Sequence, residues 1–395
     1  MIYTRQKFFL ISTLLAIGLG LAAFPAKAQD TSVPSSGEEI EATVDALTPY
    51  VMPDHGPFRP DEITIKNNEF IAMWATSPHA DAQSESFTHW DEDGEINENC
   101  ATCHSGAGFR DFYGLDETAV GIQGPTPTGG VIDCDTCHSP GLANVTEVAL
   151  PSGVMHAVSP AETTCMTCHS GRSSGVRIEA AIAEKPVDTV DPELGFINPH
   201  YRLAGAIWLG AIAQAGYEFA DKTYSSQFFH ARPIETCASC HDPHTLQINE
   251  DVCSTCHANG EPDAIRLARL SYDGSGDLTQ GIRSDLAANA ALLLSLIEEY
   301  SVEVAGTGIV YEEHYPYFFV DANLDSRADE VDGRAAKYDS WTPRMLRAAF
   351  NWKLITADPG AFVHNPHYAL EILYDSIEDM WTAMGRDVAE LNIKR

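Results

Sequence analysis

Ten cysteines occur in this chain of 395 residues, and every one belongs to a Cys-x-x-Cys-His pentad. The pairs are Cys100 and Cys103, Cys134 and Cys137, Cys165 and Cys168, Cys237 and Cys240, and Cys253 and Cys256; each is followed at once by histidine, at His104, His138, His169, His241 and His257. That arrangement is the attachment signature of c-type haem, in which both thiols add to the porphyrin vinyls and the histidine becomes the proximal iron ligand. Five pentads predict five covalent haem c groups. Five disulfides would give no reason for a histidine after every second cysteine. Structural zinc needs four ligands from pairs of pairs, and five pairs leave one over. A thioredoxin-like Cys-x-x-Cys is expected once, beside a βαβ pattern.

The elements that must position these groups fall into four stretches. Residues 1–28 read as a secretory signal peptide: Arg5 and Lys7, an apolar run from Phe8 to Phe24, and the small-x-small site Ala26-Lys27-Ala28. The expected location is therefore outside the cytoplasmic membrane, periplasmic or extracellular, with no integral span in the mature chain. Residues 29–60 are rich in Ser, Pro, Glu and Asp and read as a flexible acidic arm. Residues 61–260 hold all five pentads, whose first cysteines lie 34, 31, 72 and 16 residues apart, too unequal for a simple tandem repeat. Residues 261–395 lack cysteine and read as helical. Leu286, Ala290, Leu293, Ile297 and Tyr300 recur at helical steps, Pro343 to Ala357 forms a second helix, and a third begins at Asn365 and Pro366. Its apolar stripe runs Ala369, Leu373, Ile377, Met380, Met384 and Val388. The fold class expected is mainly α with little regular sheet: a haem-packed core and a C-terminal helical bundle.

Charge narrows the partners. Removing residues 1–28 leaves 21 Lys and Arg against 57 Asp and Glu, a net charge of −36. Nucleic acid and anionic membrane are disfavoured, and a redox partner with a basic docking surface is favoured through salt-sensitive steering. Oligomeric state is not legible.

Function turns on the sixth coordination position of each iron. Two histidines give a low-spin centre that passes electrons, whereas an open position admits substrate. Ten histidines remain beyond the proximal five.

Ser77-Pro78-His79-Ala80, Phe87-Thr88-His89-Trp90, Asn198-Pro199-His200-Tyr201 and His364-Asn365-Pro366-His367-Tyr368 resemble elements of multihaem c-type cytochromes. The resemblance is narrower to the lineage of pentahaem nitrite reductase, octahaem hydroxylamine oxidoreductase and their electron-carrying relatives. It implies distal ligation by His79, from the Ser-x-His-Ala element, and by His244, from Cys237-x-x-Cys240-His241-x-Pro-His244. By the same logic it nominates His200, His230 and His364, with His89 as a sixth candidate; His55, His156, His314 and His367 have weaker context. All five pentads end in histidine, whereas the nitrite reductases usually carry one ending in lysine, and the octahaem enzymes hold three more haems. The resemblance therefore implies an electron carrier. A reductase or oxidase of small nitrogen or sulfur compounds at one five-coordinate haem stays open, as does a subunit of an extracellular conductive filament.

A second metal signal lies at Asp321, Asn323, Asp325, Arg327 (through its carbonyl), Asp329 and Asp332, positions 1, 3, 5, 7, 9 and 12 of an EF-hand-like loop. Ser326 stands where glycine is expected, and Asp332 is shorter than the usual glutamate. Structural calcium and an acidic solvated turn are both open readings.

Overall fold

The computed structural model describes residues 50–51, 64–65, 67–258 and 260–395, so the signal-like segment, most of the arm and His55 lie outside the described residues. Two compact units divide the chain, residues 1–68 and Glu69–Arg395. In the first, the two-residue strands Tyr50–Val51 and Thr64–Ile65 pair antiparallel. The second carries all five pentads and the C-terminal helices.

The pentads are wound as single helical turns. The first lies in α1 (Glu98–His104), the second in α2 (Cys134–His138) and the third in α3 (Thr163–Cys168). Asn97 caps α1 by accepting the N–H of Asn99, and Asp133 caps α2 by accepting that of Thr136. The backbone N–H of His169, His241 and His257 each donates to the carbonyl of its own first cysteine, at 2.8, 3.0 and 2.8 Å. A turn closed in this way puts both thiols on one helix face, with the histidine directly after. The next helix, Gly106–Tyr113, crosses α1 closely: a Cβ on Gly108 would lie 2.4 Å from the carbonyl oxygen of Ala101.

The C-terminal part is a bundle of α6 (Ile282–Glu303), α7 (Pro343–Thr356) and α9 (Pro366–Ala383), which pack pairwise. Leu286, Ala290, Leu293, Ile297 and Tyr300 are buried in α6, as their spacing predicts. The expected stripe of the last helix is buried from Ala369 through Met380; Met384 lies just beyond the helix end and Val388 in a separate short turn. Thr342 and Asn365 cap α7 and α9 with Pro at the first helical position of each. The molecule is mainly helical, and its sheet amounts to five two-stranded ribbons among the described residues. Side-chain acceptors on the bundle helices, rather than apolar contact alone, tie the long insertion to the bundle. Asn351 Oδ1 accepts the N–H of Tyr217 at 2.7 Å, the Tyr368 hydroxyl accepts that of Gly216 at 2.8 Å, and Glu371 accepts that of Ser225 at 2.6 Å.

Burial is uneven along the chain. The apolar core gathers the bundle together with α3, α4 (Ala204–Leu209) and Gly175–Ile182. Between residues 217 and 280, by contrast, no described residue is buried, although that stretch holds the fourth and fifth pentads.

Candidate haem-binding centres

None of the ten cysteines is joined to another in a disulfide. Around them the structure pairs each pentad histidine with one distant histidine. The ring centroids of His104 and His200 are 5.9 Å apart, those of His138 and His244 6.2 Å, His169 and His79 6.3 Å, His241 and His364 6.5 Å, and His257 and His230 6.2 Å. With iron to imidazole nitrogen at about 2.0 Å and nitrogen to ring centre at about 1.1 Å, two imidazoles trans on one iron have centroids about 6.2 Å apart. The five separations thus fit a bis-histidine haem in each pair.

Electrostatics and hydrogen bonding suit ligation. Burial, helped by the neighbouring pentad histidine, lowers His79 and His200 to about 4. Both are therefore neutral at neutral pH, the form that offers a nitrogen lone pair to a metal. His104 Nδ1 bonds the carbonyl oxygen of Ser86 at 2.8 Å, and His169 Nδ1 that of Arg202 at 2.9 Å. A backbone acceptor at Nδ1 fixes the tautomer and leaves Nε2 for the iron.

The pentads also touch one another. Cys103 and Cys168 are neighbours, joining the first pentad to the third, and Cys103 Sγ is 3.9 Å from the carbonyl of Thr167. Thr164, immediately before Cys165, donates to the carbonyl of Thr136 inside the second pentad at 3.2 Å. Cys165 and Cys237 are likewise neighbours, linking the third pentad to the fourth. The N–H of Asn249, which opens α5 (Glu250–Ser254) and the fifth pentad, donates to the carbonyl of Cys240 at 2.8 Å. The third pentad is the junction: it meets the first, second and fourth, and the fifth hangs from the fourth.

The remaining candidates stand elsewhere. His89 packs against Trp90 at 4.8 Å with its Nδ1 3.9 Å from Glu85, and Trp90 separates it from His104; it faces no pentad histidine. His156 lies in the ribbon Glu147–Ala149 with Met155–Ala157, His314 beside Glu312 and Phe319, and His367 against Phe228. In the acidic loop, Asp321 accepts the N–H groups of Asp325 and Ser326, Asn323 accepts that of Asp325, and Asp325 that of Arg327. Asp329 accepts from Ala322 and Asn323. Ser326, at the glycine position, takes a positive φ of 63°. Asp332 and Gly333, at φ 54° and 73°, form the turn of the ribbon Glu330–Val331 with Arg334–Ala335, the Asp-Gly signature of a tight hairpin. Among the described residues, no group of three or more His, Cys, Asp or Glu gathers as a metal-ion site.

Comparison with known proteins agrees with the pentads. The chain is 26% identical over 359 residues to the C-type polyheme cytochrome OmcB of Geobacter sulfurreducens, covering 75% of this chain and 46% of that protein. It is 27% identical over 361 residues to OmcC of the same organism, covering 75% and 45%. The chain is thus similar to polyhaem c-type cytochromes. It spans less than half the length of these curated relatives. No family model and no solved structure matches. The similarity agrees with c-type haem attachment, and among the described residues no helix is long and apolar enough to cross a membrane.

Two features escaped the sequence reading: which histidine faces which, and the contacts between pentads. Both join residues far apart in the chain, and neither leaves a local signal.

Proposed function

We propose that the chain is an exported pentahaem cytochrome c that carries electrons between redox partners through five bis-histidine haems. The observation that carries this reading is the pairing of every pentad histidine with one distant imidazole at 5.9 to 6.5 Å. His200, His244, His79, His364 and His230 would be the distal ligands for the first to fifth pentads. Bound there, each haem supplies a one-electron Fe(III)/Fe(II) couple. The residues would do the rest: each pair of imidazoles would hold one iron and leave no place for substrate, and the contacts between pentads would keep the haems close together. Haems held there would follow the contacts between pentads, from the fifth through the fourth to the third and from there to the first and the second. The all-histidine pentads support placing the chain with the electron-carrying side of the nitrite reductase and hydroxylamine oxidoreductase lineage. The acidic surface suits a partner with a basic docking face.

The stretch 217–280 gives an independent fit. A segment with little apolar burial of its own would gain most from a covalent staple. Cys237, Cys240, Cys253 and Cys256 are the residues there that would attach one.

The test is stoichiometric. The intact protein, expressed with a cytochrome c maturation system, should carry the mass of five covalent haems and take up five electrons in a reductive titration. Fewer than five of either would contradict the reading.

A further inference from the structure

Among the paired imidazoles, His104 and His169 bond backbone carbonyls through Nδ1. His364 is different. Its Nδ1 lies 2.7 Å from Oδ2 of Asp358, a carboxylate whose side chain is 3% exposed. The other oxygen of Asp358 accepts the N–H of Gly360 at 3.0 Å, so both are committed. The site is also shaped for the ring: a Cβ on Gly360 would lie 2.5 Å from His364 Cε1 and 2.9 Å from its Nδ1.

We propose that Asp358 is a positioning residue that makes His364 the strongest imidazole donor of the five distal ligands and gives the fourth pentad the lowest reduction potential in the molecule. A carboxylate that accepts the Nδ1 proton draws the imidazole toward imidazolate and raises its basicity. A stronger axial donor and a buried negative charge both favour ferric over ferrous iron. A backbone carbonyl, as at His104 and His169, carries no net charge and pulls less. The fourth pentad lies between the fifth and the third, so a low potential there sets a step that electrons must climb in crossing the long arm of the branch.

This inference rests on the bis-histidine reading, and the experiment separates the two. In the full-length holoprotein, Asp358→Asn keeps an acceptor at Nδ1 but removes the charge. All five centres should stay low-spin by electron paramagnetic resonance while the lowest of the five potentials moves positive in a spectroelectrochemical titration. Asp358→Glu, which keeps the charge but displaces it, should move the same potential by less; it serves as the test if the asparagine variant does not fold. Five unchanged potentials would overturn the inference. So would a high-spin signal in Asp358→Asn, because the carboxylate would then only prop the ring. His364→Ala should produce one high-spin signal; five low-spin signals in that variant would overturn the ligand assignment itself.

Discussion

At the scale of single residues, the pentads define where iron would be held, and the opposing imidazoles define what it could do there. The distinction between His79 and His89 is instructive, because both sit in similar sequence surroundings ahead of the first pentad. His79 faces His169, and burial lowers it to about 4. His89 leans on Trp90 near the solvated Glu85. Replacing His79, His200, His230 or His244 by alanine should each open one iron, so that the reduced protein binds one equivalent of carbon monoxide where the unmodified protein binds none. His89→Ala should bind none, and uptake there with none in His79→Ala would reverse the assignment. The pentads were legible because two thiols and a histidine within five positions need no tertiary information. The pairings were not: His241 and His364 are 123 residues apart, and Asp358 acquires its meaning only from where α8 (Ala361–His364) is carried by the bundle.

At the scale of elements, the C-terminal helices were readable in part, since periodicity marked α6 and α9, and Asn365 with Pro366 marked the start of α9. What periodicity could not foresee is that α7 is buried on nearly every side. Even Lys353 is drawn in, with Nζ donating to the Tyr311 hydroxyl at 2.6 Å and lying 5.3 and 5.7 Å from the ring centres of Tyr201 and Tyr317. Asn365 does two jobs: its Oδ1 caps α9 at the N–H of Tyr368, and its Nδ2 donates to the carbonyl of Ser226 at 2.9 Å. Asn365→Ala removes the cap and strands a partner, and should cost about 1–3 kcal/mol in a denaturant titration. Gly108→Ala should cost a similar amount, about 1–3 kcal/mol, by driving a methyl into the backbone of α1. A neutral result for either would mean that the close contact relaxes freely.

At the scale of the whole molecule, stability is divided between an apolar bundle and a stretch that has no core of its own. Removing both attachment thiols of the fifth pentad, as Cys253→Ala with Cys256→Ala, should therefore raise hydrogen exchange across residues 217–280 while α6, α7 and α9 stay protected. Equal loosening of both regions would show that the bundle, and not haem attachment, holds that stretch. The net charge of −36 after residue 28 makes a further expectation: association with a basic redox partner should slow steeply as ionic strength rises. The central claim, that every pentad histidine shares its iron with one distant histidine, is tested most directly by the electron paramagnetic resonance spectrum of the fully oxidised holoprotein, integrated against its haem content. The account predicts five low-spin ferric centres and no high-spin intensity. A high-spin ferric signal amounting to one haem per chain would contradict it and turn the reading toward an enzyme with an open iron.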